Sequence, residues 1–290
     1  MPGQHPHLLP AGARPTRPMA PAVGVACLAL LAGAGLGCGT PEPEITPATA
    51  EADRLLFERA EAAMVDESWT RAREYFVQIR DNYPQSTLRA DARLRVGETY
   101  FREGSLASYV AAQADLREFL RLYPSHRLSA RAQYLLGMVF FEQMRSPQRD
   151  QTETHEAIRE FERFIELAVT DPTFASGVDD TLLDEVRTRL REARDRLSDS
   201  SFIVGRFYYR NKYYPGAIDR FREILDDDPG YTRRDQIYFH LASSLAASDR
   251  EREALPMFER LVSEYPETEF REDATEQIAA LRTSMNLDSP

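Results

Sequence analysis

The chain is 290 residues long, carries a formal charge of −11 and is 42% hydrophobic, enough apolar content for one large core or two ordinary ones and too much for a disordered polymer. The acidic balance argues against nucleic acid as a partner. Both cysteines, Cys27 and Cys38, fall in the first 38 residues, so no disulfide staples the rest and stability has to come from packing.

Residues 1–37 hold Arg14 and Arg17, no acid, and then an apolar run, APAVGVACLALLAGAGLG, from Ala20 to Gly37. A basic start followed by a short apolar stretch is the order of an export signal. Pro21 and four glycines make the run a poor permanent helix, and no basic flank follows to stop transfer. Its end, Gly35, Leu36, Gly37 and Cys38, resembles the lipobox of bacterial lipoproteins, with glycine in the usual leucine position. The resemblance implies cleavage before Cys38 and lipid on its thiol; the alternative is an ordinary cleaved signal with an incidental cysteine. Glycine rather than aspartate at position 39 implies the outer membrane as destination. Such a protein lies on a membrane without crossing it. Removing 1–37 takes away two arginines and no acid, which deepens the formal charge from −11 to −13. Residues 38–50 then read as the lipidated N-terminus and a proline-rich spacer, reaching about 35 Å at about 3.1 Å per residue.

From Glu51 to the end, apolar residues recur at three- and four-residue intervals and no useful strand alternation is found. Three stretches superimpose without a gap: Ala60, Ala72, Phe76 and Pro84; Gly205, Ala217, Phe221 and Pro229; Ala242, Ala254, Phe258 and Pro266. Two more carry insertions: Gly97, Tyr100, Ala112, Leu116 and Pro124, then Gly137, Phe140, Ala157, Phe161 and Pro172. The spacing resembles the tetratricopeptide repeat, in which a small residue on the first helix lets the second approach, an alanine and an aromatic fill the contact, and proline ends the pair. The expectation for 51–290 is an all-α superhelical solenoid of about five helix pairs. A long helix from Asp180 to Leu197 leads into the fourth pair, and a last helix, about Arg271 to Met285, caps the stack. First helices of such arrays line a concave, peptide-binding surface.

Chemistry is harder to find. His126, His155 and His240 fall in separate repeats with no second ligand at metal spacing, so no metal site is expected. No nucleophile elbow or phosphate loop occurs, and the chain reads as a non-enzyme without a cofactor. Asp226, Asp227 and Asp228 before Pro229 lack the alternate spacing of a calcium loop and read as a solvated acidic turn, or else as a docking patch for a basic partner. The tyrosines of GRFYYRNKYYPGAIDRF, Gly205 to Phe221, suit core packing or a protein-docking surface.

Three stretches carry a more specific resemblance: REFLRLYPSH (Arg117 to His126), RSPQRDQTETHEAIREFERFI (Arg145 to Ile165) and RLSDSSFIVGRFYYRNKYYPGAIDRF (Arg196 to Phe221). Together they resemble the BamD (YfiO) family of outer-membrane β-barrel assembly lipoproteins from about Ala50 to Leu281. The departures are a longer insertion, REGSLASYVAAQ, Arg127 in place of a common proline, and Asp228 in place of the tyrosine before Pro229. The resemblance implies a lipid-anchored scaffold on the periplasmic face. Its partners would be a barrel-assembly protein of the BamA type and unfolded β-barrel precursors. Arg220 aligns with a docking-surface arginine of the family, with Tyr208 and Tyr209 in the same repeat; the bland alternative is a solvated arginine. For the C-terminal signal of precursors, an aromatic with a free carboxylate, the candidate groove is Tyr100, Phe101 and Arg102, of which Tyr100 also fills a packing position. The alternative function is a different periplasmic repeat lipoprotein, scaffolding pilus or secretin assembly or cell-wall synthesis.

Overall fold

The computed structural model describes residues 51–287; the expected export signal, Cys38 and the expected spacer lie outside the described residues. Twelve helices make up the described chain: α1 (Ala52–Val65), α2 (Trp69–Asn82), α3 (Arg89–Glu103), α4 (Leu106–Leu122), α5 (Ser129–Phe141), α6 (Thr152–Thr170), α7 (Pro172–Ala175), α8 (Asp180–Arg210), α9 (Tyr214–Asp227), α10 (Arg234–Ala246), α11 (Glu251–Glu264) and α12 (Arg271–Ser284). There is no strand among the described residues.

Five antiparallel pairs stack in chain order: α1 with α2, α3 with α4, α5 with α6, α8 with α9, α10 with α11. Each second helix packs on the next first helix, and α12 closes against α11. This is a tetratricopeptide helical solenoid. The expected long helix is continuous with the first helix of the fourth pair, giving α8 its 31 residues, about 46 Å of helix.

The repeat positions do what their sizes dictate. Ala60, Ala72, Phe76, Ala112, Leu116, Ala157, Phe161, Ala217, Phe221, Ala242, Ala254 and Phe258 are all fully buried. A Cβ on Gly137 would lie 2.5 Å from Phe161 Cε1, and one on Gly205 2.6 Å from Phe221 Cε1. The helices therefore meet with an aromatic ring against bare backbone. Tyr83, Tyr123 and Tyr265, the tyrosines of the YP pairs, are the C-caps of α2, α4 and α11, each with φ between −123° and −131°. The following proline cannot donate and stops the helix.

The insertions are absorbed at the turns. In the second pair α3 ends on Gly104 at φ 72°. Ser105 then caps α4, its hydroxyl accepting from the Ser108 amide while the Ser108 hydroxyl accepts from the Ser105 amide. In the third pair the loop before α6 is locked by its own motif. The Asp150 carboxylate accepts from the Thr152 amide and hydroxyl at 2.9 and 2.7 Å. Gln151 donates to the carbonyls of Ser146 and Arg149 and accepts from the buried Thr154 hydroxyl at 2.8 Å.

Candidate protein-docking surfaces

First helices carry a row of ion pairs from one repeat to the next. Glu61 on α1 meets Arg95 on α3 at 3.1 Å, Arg95 meets Glu98 at 2.7 Å, and Glu98 meets Arg131 on α5 at 3.0 Å. Arg131 lies over the ring of Tyr134, whose hydroxyl donates to Glu185 on α8 at 2.6 Å. Glu98 is the buried centre of the row, 3% exposed. Burial alone would raise its carboxyl, but the Arg95 and Arg131 guanidiniums outweigh that and hold it below the usual glutamate range. One buried carboxylate thus gathers three arginines, the third being Arg102 at 4.0 Å.

Of the groove residues, Tyr100 is partly buried beneath the Arg73 guanidinium, 3.7 Å from the ring centroid, and packs on two core clusters. Phe101 is partly buried with its ring 6.2 Å from Tyr109. Arg102 is exposed. The three do not share a partner: Tyr100 lies under Arg73 of α2, Phe101 beside Tyr109 of α4, and Arg102 beside Glu98 of its own helix.

On the fourth pair, Arg220 is exposed on α9 and donates to Glu223 at 2.6 Å. Tyr208 and Tyr209 are partly buried: Tyr208 packs on Tyr213 at 5.5 Å, and Tyr209 lies against Tyr214 and His240 at 5.9 and 5.7 Å. His240 sits among the rings of Phe202, Tyr209, Phe221, Phe239 and Phe270. Burial among them pushes its imidazole below the ordinary histidine range.

The acidic turn departs from expectation. Asp226 and Asp227 are exposed, but Asp228 is 8% exposed. Arg191 on α8 grips its carboxylate with both terminal nitrogens, one of them at 2.8 Å, and the Ser198 hydroxyl donates to it at 2.8 Å. Arg191 also meets Asp195 at 3.0 Å. Burial would raise the Asp228 carboxyl; the bonds from Arg191 and Ser198 hold it below the usual aspartate range. The residue that departs from the resemblance is the one that ties α9 to the long helix. Sequence spacing gave no sign of this clamp, because its partners stand 37 and 30 residues apart.

Among the described residues no three or more His, Cys, Asp or Glu side chains converge as metal ligands. No described helix is long and apolar enough to cross a membrane.

A family model described as outer membrane lipoprotein, YfiO, matches residues 49–250, and a tetratricopeptide-repeat model matches 236–268. Three proteins named outer membrane protein assembly factor BamD are similar to the chain. That of Caulobacter vibrioides is 24% identical over 77% of this chain and 70% of its own length. That of Neisseria gonorrhoeae is 24% identical over 68% and 73%, and that of Rickettsia prowazekii 26% over 55% and 59%. With 49–250 spanning most of the helix pairs, the chain belongs to the YfiO family of outer membrane lipoproteins.

Proposed function

We propose that this chain is a lipid-anchored, non-catalytic scaffold of the outer-membrane β-barrel assembly machinery. It is tethered through Cys38 to the periplasmic face of the outer membrane. The observation that carries the reading is the family match over 49–250, joined to relatives whose names give them as outer membrane protein assembly factors.

On this reading the fourth and fifth pairs dock the barrel-forming protein of the BamA type. Arg220 trades its local partner Glu223 for a carboxylate of that protein, gripping it with two parallel N–H donors. Tyr208 and Tyr209 set the turn beside it. The second pair receives the C-terminal signal of unfolded barrel precursors. Tyr100 and Phe101 supply the aromatic floor. Arg102, beside the Glu98 cluster, meets the terminal carboxylate, since three guanidiniums share the two carboxylates of Glu98 and Glu61 and leave one positive charge over.

Purification of tagged protein from detergent-solubilised outer membrane tests this. The expected result is recovery of a large β-barrel assembly protein, reduced at least about tenfold by Arg220→Glu, a loss of about 1.4 kcal/mol. Glu223→Gln, which frees Arg220, is expected to leave recovery unchanged or increase it. Soluble protein without a barrel partner ends the reading.

A further inference from the structure

The turn between α8 and α9 sets rings and cations outward together. Phe207 is 55% exposed and Tyr213 58%, with the Tyr208 ring between them at 6.0 and 5.5 Å. Arg206, Arg210 and Lys212, the chain's one lysine, are exposed in the same segment. Arg206 lies over the Phe202 ring. The side chains of Arg210 and Lys212 have no polar partner among the described residues. This concentration is unlike the rest of a chain in which acids outnumber bases 47 to 36 and most arginines are paired.

The turn is also held rigid. The Lys212 amide donates to the Tyr209 carbonyl and the Tyr213 amide to the Tyr208 carbonyl, both at 2.9 Å. The Asn211 side chain donates to the Phe207 carbonyl at 2.7 Å. A Cβ on Gly216 would fall 2.5 Å from the Tyr213 ring, so that ring rests directly on backbone. Exposed aromatics on an ordered turn, with cations whose side chains lack a polar partner and no acidic residue between Val204 and Ile218, have the chemistry of a segment that sits at lipid headgroup level. The rings take the interface while the cations meet phosphates.

We propose that this turn is a second membrane contact, with Phe207 and Tyr213 entering the headgroup layer of an anionic phospholipid bilayer and Arg206, Arg210 and Lys212 pairing with its phosphates. The inference rests on the lipid-anchored reading, because a tether keeps the chain as a whole at a membrane and raises the effective concentration of any further contact. The two act together: the acyl chains retain the protein, and the turn fixes which side of the fourth pair faces the bilayer.

The test uses the full lipidated protein, carrying Trp69→Phe to remove the native tryptophan and Phe207→Trp to report on the turn. It is reconstituted into phosphatidylethanolamine–phosphatidylglycerol vesicles containing brominated lipid. Circular dichroism matching the parent establishes that the variant is folded. The expected result is emission shifted to the blue and strongly quenched by the brominated chains, with both effects lost on adding Arg210→Glu and Lys212→Glu or on replacing phosphatidylglycerol by phosphatidylcholine. Val169→Trp, at an equally apolar and 82% exposed position beside Asp171, is expected to stay unquenched. Vesicle flotation without quenching at position 207 overturns the contact and leaves the tether standing. Failure to float removes the tether and the contact with it. A shift at position 207 that appears only when a protein partner is added, with no lipid dependence, overturns the proposal in favour of a protein-docking turn.

Discussion

Gly137 and Asp228 carry opposite lessons at the scale of single residues. Gly137 holds its place because Phe161 occupies the space a methyl would need. Gly137→Ala is therefore expected to destabilise by about 1–3 kcal/mol through overpacking, and Gly205→Ala by a similar amount. Gly97→Ala should cost less, since its nearest neighbour is the flexible end of Leu116 at 3.0 Å. Urea denaturation of the three variants reads the ranking, and equal effects at 97 and 137 would contradict it. These glycines were legible in the sequence, because a repeat forces the same small residue to the same place. Asp228 was not: its burial depends on Arg191 and Ser198 reaching it from a neighbouring helix, and no local pattern records that. Arg191→Ala leaves a buried carboxylate with only a serine and is expected to cost about 2–4 kcal/mol. Asp228→Asn leaves Arg191 still paired with Asp195 and is expected to cost about 1–2 kcal/mol. The same denaturation series checks the order.

Among elements, α8 to α10 form a unit whose stability depends on pH through His240. Its folded pKa lies below the unfolded value because burial among the rings disfavours the charged form. The unfolded chain therefore binds the proton more readily. The contribution is complete above the unfolded value of about 6.5 and is lost as pH falls through the lower folded value. Thermal melts between pH 7.5 and 5 should show a declining midpoint, and His240→Phe should flatten part of that decline. An unchanged slope would place the titration elsewhere. Helix boundaries followed from punctuation, with Tyr-Pro closing α2, α4 and α11. That α8 runs without a break to Arg210 was only half visible, since repeat spacing marks where a pair begins and not whether the preceding helix stops. The row from Glu61 to Glu185 was invisible for the same reason as Asp228: charges on neighbouring first helices meet only after stacking sets their register. Glu98→Gln, which removes the charge shared by Arg95 and Arg131, is expected to destabilise by about 1–3 kcal/mol, with the loss fading as pH falls from the unfolded glutamate value of about 4.3 through the lower folded value.

For the whole molecule, five helix pairs and a closing helix present surfaces, with no metal-ligating cluster of His, Cys, Asp or Glu among the described residues. Membership of the outer membrane lipoprotein family gives those surfaces a setting. Arg220, Arg102 and the aromatic turn at Phe207 give them distinct tasks in the proposed scaffold. The central claim is tested most directly by depleting the protein from its host and quantifying outer-membrane proteins by mass spectrometry. The account predicts a several-fold fall in β-barrel proteins as a class, with outer-membrane lipoproteins of other kinds retained. Unchanged barrel levels after depletion would contradict it.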